Sequence, residues 1–164
     1  YKRQARARGA SMVIATAGSA DKLKRATALG ADHVIDHYQR EGEIHKAVYE
    51  LTGGAGVDVV VEHVGPAVFS QCVKALSRGG RLVTCGATTG PTAELDIQLM
   101  YAKHLTLLGS FMGSRGEMLE LLPLVENGTL QPVVDKVFPL AEAAAAQERM
   151  EQSEHFGKLV LNAR

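Results

Sequence analysis

The sequence predicts a doubly wound α/β fold, in which helices cover both faces of a parallel sheet. Short apolar runs alternate with helical patterns, and the predicted strands lie at 11–16, 33–36, 57–62, 81–85 and 105–112. A run that is apolar apart from one residue, as at 57–61, is typical of a strand buried on both faces. Glycine or proline follows most of these elements, and this alternation is the pattern of a doubly wound parallel sheet.

The clearest unit is the segment 56–90, which predicts a strand, a helix and a second strand. After the first strand and Gly65-Pro66, apolar residues recur at helical spacing at Val68, Phe69, Cys72, Val73 and Leu76. Gly79-Gly80 is predicted to end this helix, and RLVTC at 81–85 to form the second strand. Ligands of open α/β sheets lie beyond the carboxyl ends of such strands, so chemistry is expected there.

The remaining elements follow from the same signals. The chain opens on a helix that Gly9 ends, and Ser19 is the predicted N-cap of a helix that Gly30 ends. Further helices are predicted at 43–51, 95–104, 118–125 and 140–152, and further strands at 133–138 and 157–161. Because the first residue is tyrosine and the pattern opens on the end of a helix, we expect the chain to be the C-terminal piece of a longer protein.

Composition narrows the range of functions. The 18 basic and 18 acidic residues balance, so neither a nucleic acid nor a membrane surface is expected as a partner. The basic run Lys2, Arg3, Arg6 and Arg8 is interpreted as the solvated side of a helix, with a phosphate or nucleic-acid site as the less favoured reading. Two cysteines and six scattered histidines lack ligand spacing, so no metal site is predicted. With no signal peptide or spanning run, a soluble cytoplasmic protein is expected.

Two positions bear on dinucleotide binding. The usual GxGxxG turn is not found, and TGGAG at 52–56 lies between a helix and a strand, so we interpret it as a helix stop. NAD-specific sheets place an Asp or Glu after their second strand. In this sequence the corresponding segment is Thr16-Ala17-Gly18-Ser19, which contains no acid and is followed by Lys22. A hydroxyl and an ammonium would attract a 2′-phosphate. The alternative, an ordinary N-cap and a solvated lysine, is equally open.

The ordered motifs resemble a known family. The runs ATAGSADKLKRATALGADHVIDH, ELTGGAGVDVVVEHVG, ALSRGGRLVTCGATTG, LLGSFMGS, VVDKVFPLAEAAAA and HFGKLVL are similar to the C-terminal half of the medium-chain dehydrogenase/reductase superfamily, in its zinc-binding alcohol dehydrogenase and quinone oxidoreductase branch. The resemblance implies a Rossmann-like sheet lacking its first strand and glycine loop. Residues 1–112 would form a partial dinucleotide-binding domain, and 113–164 a segment that returns to the catalytic domain. Since the missing strand is central, a gap or a closing-up of its neighbours is expected.

The resemblance also implies an activity, namely hydride transfer between NADP(H) and an alcohol, aldehyde, ketone or quinone, with NAD(H) as the other cofactor. Zinc, if the parent protein holds it, would lie in the missing N-terminal part, so no catalytic or metal residue is predicted and the chain alone is expected to be inactive. A small-molecule substrate and a homo-oligomer are implied as partners. The alternatives are a non-catalytic structural or interaction protein on a dehydrogenase scaffold, and a nucleotide-dependent methyltransferase, which would need an acid where Ala17-Gly18 stands.

The resemblance places the cofactor-binding residues at the strand ends and in the last strand. The adenosine ribose and its phosphate would contact Thr16, Ser19 and Lys22, with His37 or Tyr38 near the adenine. The nicotinamide and its ribose would contact His63, Val64, Cys85, Gly86, Ala87, Ser110, Phe111 and Met112, and Lys158 would reach the pyrophosphate. The plainer readings are a hydrogen-bonded core histidine at 63, a buried small residue at 85 and ordinary core at 111–112.

Overall fold

The computed structural model describes residues 2–163, and its elements follow the predicted order. The helices are α1 Lys2–Ala7, α2 Ala20–Ala28, α3 Ile44–Leu51, α4 Pro66–Ala75, α5 Ile97–Ala102, α6 Arg115–Glu126 and α7 Ala143–Glu151, with a 3-10 turn at Leu140–Glu142. The strands are β1 Ile14–Ala17, β2 His33–Asp36, β3 Val57–Glu62, β4 Leu76–Thr84, β5 Thr106–Gly109, β6 Val134–Pro139 and β7 Lys158–Asn162. Every strand pair is parallel, which confirms the predicted α/β class.

The strands form three separate parallel sheets. Their orders are β1-β2, β3-β4-β5 and β6-β7, so within residues 2–163 no ladder joins β1 to β3. Of the two arrangements expected around a missing central strand, a pairing of its neighbours is therefore not seen within residues 2–163. The chain divides between Met118 and Leu119 into two compact units, the second of which holds β6, α7 and β7. The predicted return of 113–164 to a catalytic domain stays a prediction. No helix within the described residues is long and apolar enough to cross a bilayer.

Strand β4 begins earlier than predicted. The helix α4 ends at Ala75 and β4 starts at Leu76, so Gly79-Gly80 lies inside the strand and the prediction that it ends the helix is wrong. Leu76 pairs with Val57, whereas Arg81 pairs with Val59, so the residues between them bulge out of the ladder. The physical reason is burial, because Leu76 is fully enclosed and the chain leaves the helix to place it there.

Two buried clusters hold the first unit together. One joins β2, α3 and the end of α4 through Ile35, Ala47, Val48 and Ala75. The other lies between the β3-β4-β5 sheet and the helices α4 and α5, and its fully buried members are Val73, Leu76 and Leu82. These clusters fix the positions at which the strands of the first unit end.

The other face of the β3-β4-β5 sheet is open, contrary to the prediction of a strand buried on both faces. Val59 and Val61 are 52% and 43% exposed, and Leu108 on β5 is 45% exposed. Val61, Val83 and Leu108 are paired in register, so they lie on one face. The helices α4 and α5 cover the opposite face, which carries Val60, Leu82 and Leu107.

Candidate cofactor-binding site

The ends of β3 and β4 lie side by side and are interlocked by hydrogen bonds. The carbonyl of Glu62 accepts from the Cys85 N–H at 3.0 Å, and the carbonyl of His63 accepts from Thr88 Oγ1 at 3.1 Å. The carbonyl of Val64 accepts from both the N–H and the hydroxyl of Thr89, at 2.7 and 2.8 Å. Three consecutive carbonyls are therefore satisfied by the segment that follows β4, which fixes the two strand ends together as the topology predicted.

Glycine is required where these segments approach each other. A Cβ at Gly86 would lie 2.8 Å from the His63 carbonyl oxygen, closer than real Cβ contacts allow. Gly65 has φ +95°, and a Cβ there would lie 3.1 Å from the Gly90 carbonyl oxygen and 3.3 Å from Ala87 Cα. The surface between the two strand ends is consequently lined by backbone.

These residues form an exposed ledge, which we call the strand-end platform and define as His63, Val64, Cys85, Gly86, Ala87 and Ser110. His63 and 85–87 are exposed, and Val64 is half-buried. The N–H of Ser110 donates to the Thr84 carbonyl at 2.9 Å, which places the end of β5 beside the end of β4. The plainer readings of His63 as a core histidine and Cys85 as a buried residue are therefore wrong.

Phe111 and Met112 follow the platform on the chain. They are 90% and 83% exposed, and Met112 has φ +49°, so the reading of these residues as ordinary core is also wrong. The predicted strand at 105–112 ends at Gly109 instead, which leaves 110–112 as a loop beyond the sheet. Two large apolar side chains in such an exposed loop are available to cover a flat ligand.

Sequence reasoning missed Glu62, the last residue of β3. Its side chain is 3% exposed, and one carboxylate oxygen accepts from the N–H groups of Val64 and Gly65 at 2.5 and 2.7 Å. The other oxygen accepts from Thr84 Oγ1 at 3.2 Å. The available signal was a single carboxylate directly after the apolar run VVV, at a position that topology buries.

A second group of predicted residues lies at the ends of β1 and β2. Ser19 Oγ accepts from the Lys22 N–H at 3.3 Å, which confirms the predicted N-cap of α2. The His37 N–H donates to the Ala17 carbonyl at 3.2 Å, and a Cβ on Gly18 would lie 2.8 Å from His37 Nε2. Thr16 is exposed on β1 and Lys22 is half-buried on α2. We call Thr16, Ser19, Lys22 and His37 the Ser19 group.

Tyr38 extends the Ser19 group with an exposed ring. Its ring centroid lies 4.6 Å from that of His37, with the planes at 68°, an edge-to-face contact. A Cβ on Gly18 would meet the Tyr38 ring at 2.4 Å, so glycine allows the two loops to touch. Lys158, the remaining predicted residue, lies exposed on β7 in the second unit.

The N-terminal basic run is partly structural. Arg6 donates to the carbonyls of Ala10 and Ser11 and pairs with Asp32, so it ties α1 to the loop before β2 and is not merely a solvated charge. The backbone N–H of Val13, together with Arg6, holds the pKa of Asp32 below its ordinary value. Arg6 thus has a role in holding the chain together that needs no phosphate ligand.

The two cysteines differ sharply in environment. Burial, with the neighbouring Glu62 carboxylate, raises the pKa of the Cys72 thiol to about 12. Cys85 is exposed on the platform, and its Sγ lies 3.6 Å from the Glu62 carbonyl oxygen. Because the thiolate is the nucleophile, only the exposed cysteine is expected to react with alkylating reagents near neutral pH.

This difference predicts that iodoacetamide at pH 8 will add one carboxamidomethyl group per native chain. Intact-mass spectrometry should show that Cys85→Ser abolishes the modification, whereas Cys72→Ser leaves it unchanged. Denaturation before alkylation should bring the wild-type count to two, because it exposes Cys72. Rapid labelling of Cys72 in the folded chain would contradict the burial that the structure shows.

The described residues contain no group of three or more histidine, cysteine, aspartate or glutamate side chains placed to hold a metal ion. The imidazole and the thiol of the platform, those of His63 and Cys85, therefore do not belong to such a group.

The fold and the platform together define a doubly wound type of α/β domain, with an exposed ledge at the carboxyl ends of adjacent parallel strands, the edge at which such domains bind ligands. A family model described as zinc-binding dehydrogenase matches residues 3–127. The chain belongs to this zinc-binding dehydrogenase family, and the resemblance read from the motifs is confirmed.

Several known oxidoreductases are similar in sequence to this chain over nearly its whole length. The chain is 33% identical to an NAD-dependent alcohol dehydrogenase of Sulfolobus acidocaldarius over 92% of this chain and 43% of that protein. It is 30% identical to quinone oxidoreductase-like protein 2 of Bos taurus, over 92% of this chain and 45% of that protein. It is 28% identical to a crotonyl-CoA reductase of Streptomyces collinus, over 97% of this chain and 39% of that protein. The chain thus spans less than half the length of these curated relatives.

Solved structures agree with the fold. The crystal structure of an NAD-dependent alcohol dehydrogenase matches with a TM-score of 0.90 and 41% identity, over 99% of this chain and 46% of that one. A crotonyl-CoA carboxylase/reductase in complex with NADP matches with a TM-score of 0.89, over 97% of this chain and 45% of that one; at 20% identity it shows the fold alone.

Proposed function

We propose that this chain is the cofactor-binding part of an oxidoreductase that transfers a hydride between NADP(H) and an alcohol, aldehyde, ketone or quinone. The observation that carries the proposal is the platform, an exposed, backbone-lined ledge where the ends of β3 and β4 are held side by side. Adjacent strand ends of this kind are where open α/β sheets bind nucleotides. The names of the relatives, which are dehydrogenases, reductases and quinone oxidoreductases, support the reaction class.

The platform fits a planar ring. Gly86 leaves the surface beside His63 free of a side chain, because a Cβ there would collide with the His63 carbonyl. Exposed Phe111 and Met112 follow directly after Ser110, where they supply apolar surface for the second face of a ring. The bound nicotinamide supplies the hydride chemistry, and the platform orients the ring and restricts water around it.

The Ser19 group fits the adenosine end. The first N–H groups of α2 point out of a nine-residue helix whose N-cap is Ser19, and the helix dipole favours an anion there. Lys22 places an ammonium within the first turn, next to the carboxylate of Asp21. The chain carries no acid at Ala17-Gly18 to repel a 2′-phosphate, and this favours NADP(H) over NAD(H). The edge-to-face His37 and Tyr38 rings offer a stacking surface for adenine.

The cofactor preference is tested by charge reversal at Lys22. Lys22→Glu is expected to weaken NADPH binding about tenfold or more, because a carboxylate replaces the ammonium beside the 2′-phosphate. NADH, which lacks that phosphate, should change by no more than about twofold. Dissociation constants are measured by titrating the fluorescence of each reduced dinucleotide, and the chain contains no tryptophan to interfere.

The matched control is Lys24→Glu, which reverses an exposed charge on the same helix. It should reproduce any general effect of net charge without the selective loss for NADPH. Equal losses for NADPH and NADH in Lys22→Glu would make Lys22 a surface charge only. A wild-type chain that binds NADH much more tightly than NADPH would refute the NADP(H) half of the proposal.

A further inference from the structure

Glu62 is the one charged residue among the buried residues that the structure describes in the first unit, and the others that carry a side chain are apolar. It is 3% exposed and lies two residues after Val60 on the same face of β3, close enough to the Cys72 thiol that burial and the Glu62 carboxylate together raise the pKa of that thiol. Burying a carboxylate costs several kcal/mol unless hydrogen bonds compensate it. An apolar residue would fill the same place at lower cost, so packing alone does not account for a glutamate there.

The compensation comes from the turn after β3 and from the last residue of β4, which adjoin the platform. One oxygen of Glu62 accepts from two successive N–H groups, those of Val64 and Gly65, at 2.5 and 2.7 Å. The other oxygen accepts from the hydroxyl of Thr84, the last residue of β4, at 3.2 Å. The carboxylate thus spans the turn after β3 and the end of β4.

The contacts of Thr84 extend this connection to β5. Its carbonyl accepts from the Ser110 N–H at 2.9 Å, and its hydroxyl also lies 3.3 Å from the Gly86 carbonyl oxygen. Every strand end that contributes to the platform is therefore joined to Glu62 directly or through Thr84. In the turn at 63–65 the N–H groups of Val64 and Gly65 are directed at Glu62. The carbonyls of His63 and Val64 are directed at 88–89.

We propose that Glu62 is a positioning residue, which presets the spacing of the strand-end platform so that the ledge exists before a dinucleotide arrives. This inference rests on the proposed function, because it assigns Glu62 to the binding of the cofactor on that ledge. Glu62 itself, being buried, does not contact the cofactor. Its removal would leave two N–H groups without acceptors in a buried turn, and the turn would move to satisfy them.

Two substitutions separate the hydrogen bonds from the shape. Glu62→Gln keeps an oxygen for both N–H groups, and its amide can donate to Thr84 Oγ1, whose own proton then goes to the Gly86 carbonyl. Glu62→Leu keeps similar volume and accepts nothing. Val73→Ala is the control for general destabilisation, because Val73 is 2% exposed in the core cluster with Leu76 and Leu82 and is not part of the platform.

Each variant of the chain is examined by two measurements. Amide hydrogen exchange, followed by NMR, reports the protection of the Val64 and Gly65 N–H groups without any cofactor. Fluorescence titration reports the dissociation constant for NADPH. In Glu62→Leu we expect protection of both amides to fall, and NADPH affinity to fall about tenfold. Glu62→Gln should stay within about threefold of wild type in both measurements, and Val73→Ala should lose stability with unchanged affinity.

The outcomes distinguish the two hypotheses. A wild-type chain that binds neither NADPH nor NADH refutes the proposed function, and the exchange measurement then still shows whether Glu62 fixes the turn. Normal affinity in Glu62→Leu, with the wild type binding, overturns the positioning role alone. Equal loss of affinity in Val73→Ala also overturns it, because a general loss of stability would then account for the effect.

Discussion

Replacing Gly56 by alanine is expected to destabilise the first unit by about 2–5 kcal/mol. Gly56 has φ +81°, a conformation that costs a residue with a Cβ about 1–2 kcal/mol. The added Cβ would also lie 2.7 Å from the Ala75 carbonyl oxygen and 2.9 Å from the Ser77 N–H nitrogen. Both are backbone atoms at the junction of α4 and β4, so they cannot move aside without breaking the first pairing of β3 with β4.

The matched control is Gly54→Ala, two residues earlier. Gly54 has φ +88°, but a Cβ there would meet nothing within 4 Å. It therefore measures the conformational strain alone, about 1–2 kcal/mol. Urea unfolding followed by circular dichroism gives both values, and equal midpoints for the two variants would show that the close approach at Gly56 is relieved without cost.

Lys103→Met is expected to cost about 2–4 kcal/mol. The ammonium of Lys103 donates to the Lys74 and Leu76 carbonyls at 3.1 and 2.7 Å and to the Tyr49 hydroxyl at 2.5 Å. These groups belong to α3, to the end of α4 and to the start of β4, so a single half-buried cation joins three elements. Methionine keeps most of the apolar stem and removes the charge-assisted donors.

Tyr49→Phe is the graded comparison for this prediction. It removes one partner of Lys103 and the hydrogen bond that the Tyr49 hydroxyl donates to the Lys74 carbonyl at 2.7 Å. Both carbonyl contacts of Lys103 remain, so a loss of about 1–2 kcal/mol is expected. Thermal and urea unfolding should rank the variants as wild type, Tyr49→Phe and then Lys103→Met. If Lys103→Met unfolds at the wild-type midpoint, the three contacts add nothing to stability beyond what water offers the same groups.

The fold was predictable from the sequence because most strands contain a short apolar run with glycine or proline nearby. The start of β4 at Leu76 was not predictable from the sequence, because Leu76 continues the helical spacing of Cys72 and Val73. In addition, Gly79-Gly80 is the stronger local signal for the end of a helix. What ends the helix at Ala75 lies elsewhere in the chain, in the burial of Leu76 and the reach of Lys103. Local patterns do not contain such distant contacts.

The candidate site was also predictable from the sequence in part only. Topology alone brought the ends of β3 and β4 together, so the platform could be placed from strand order. Glu62 could not be given a role, because its partners are backbone amides that become accessible to it only in the folded turn. The open loop at Phe111 and Met112 was also unpredictable, since apolar residues following a strand read equally well as its continuation.

The interruption between β1 and β3 also affects how the chain behaves in solution. Within the described residues, β1 and β3 each have a hydrogen-bonded neighbour strand on one edge only. The edge strand β3 also carries the exposed apolar side chains of Val59 and Val61. Backbone donors and acceptors arrayed in this way are templates for strands of other molecules. Intermolecular β-association at high concentration or on heating is therefore expected to nucleate at this margin.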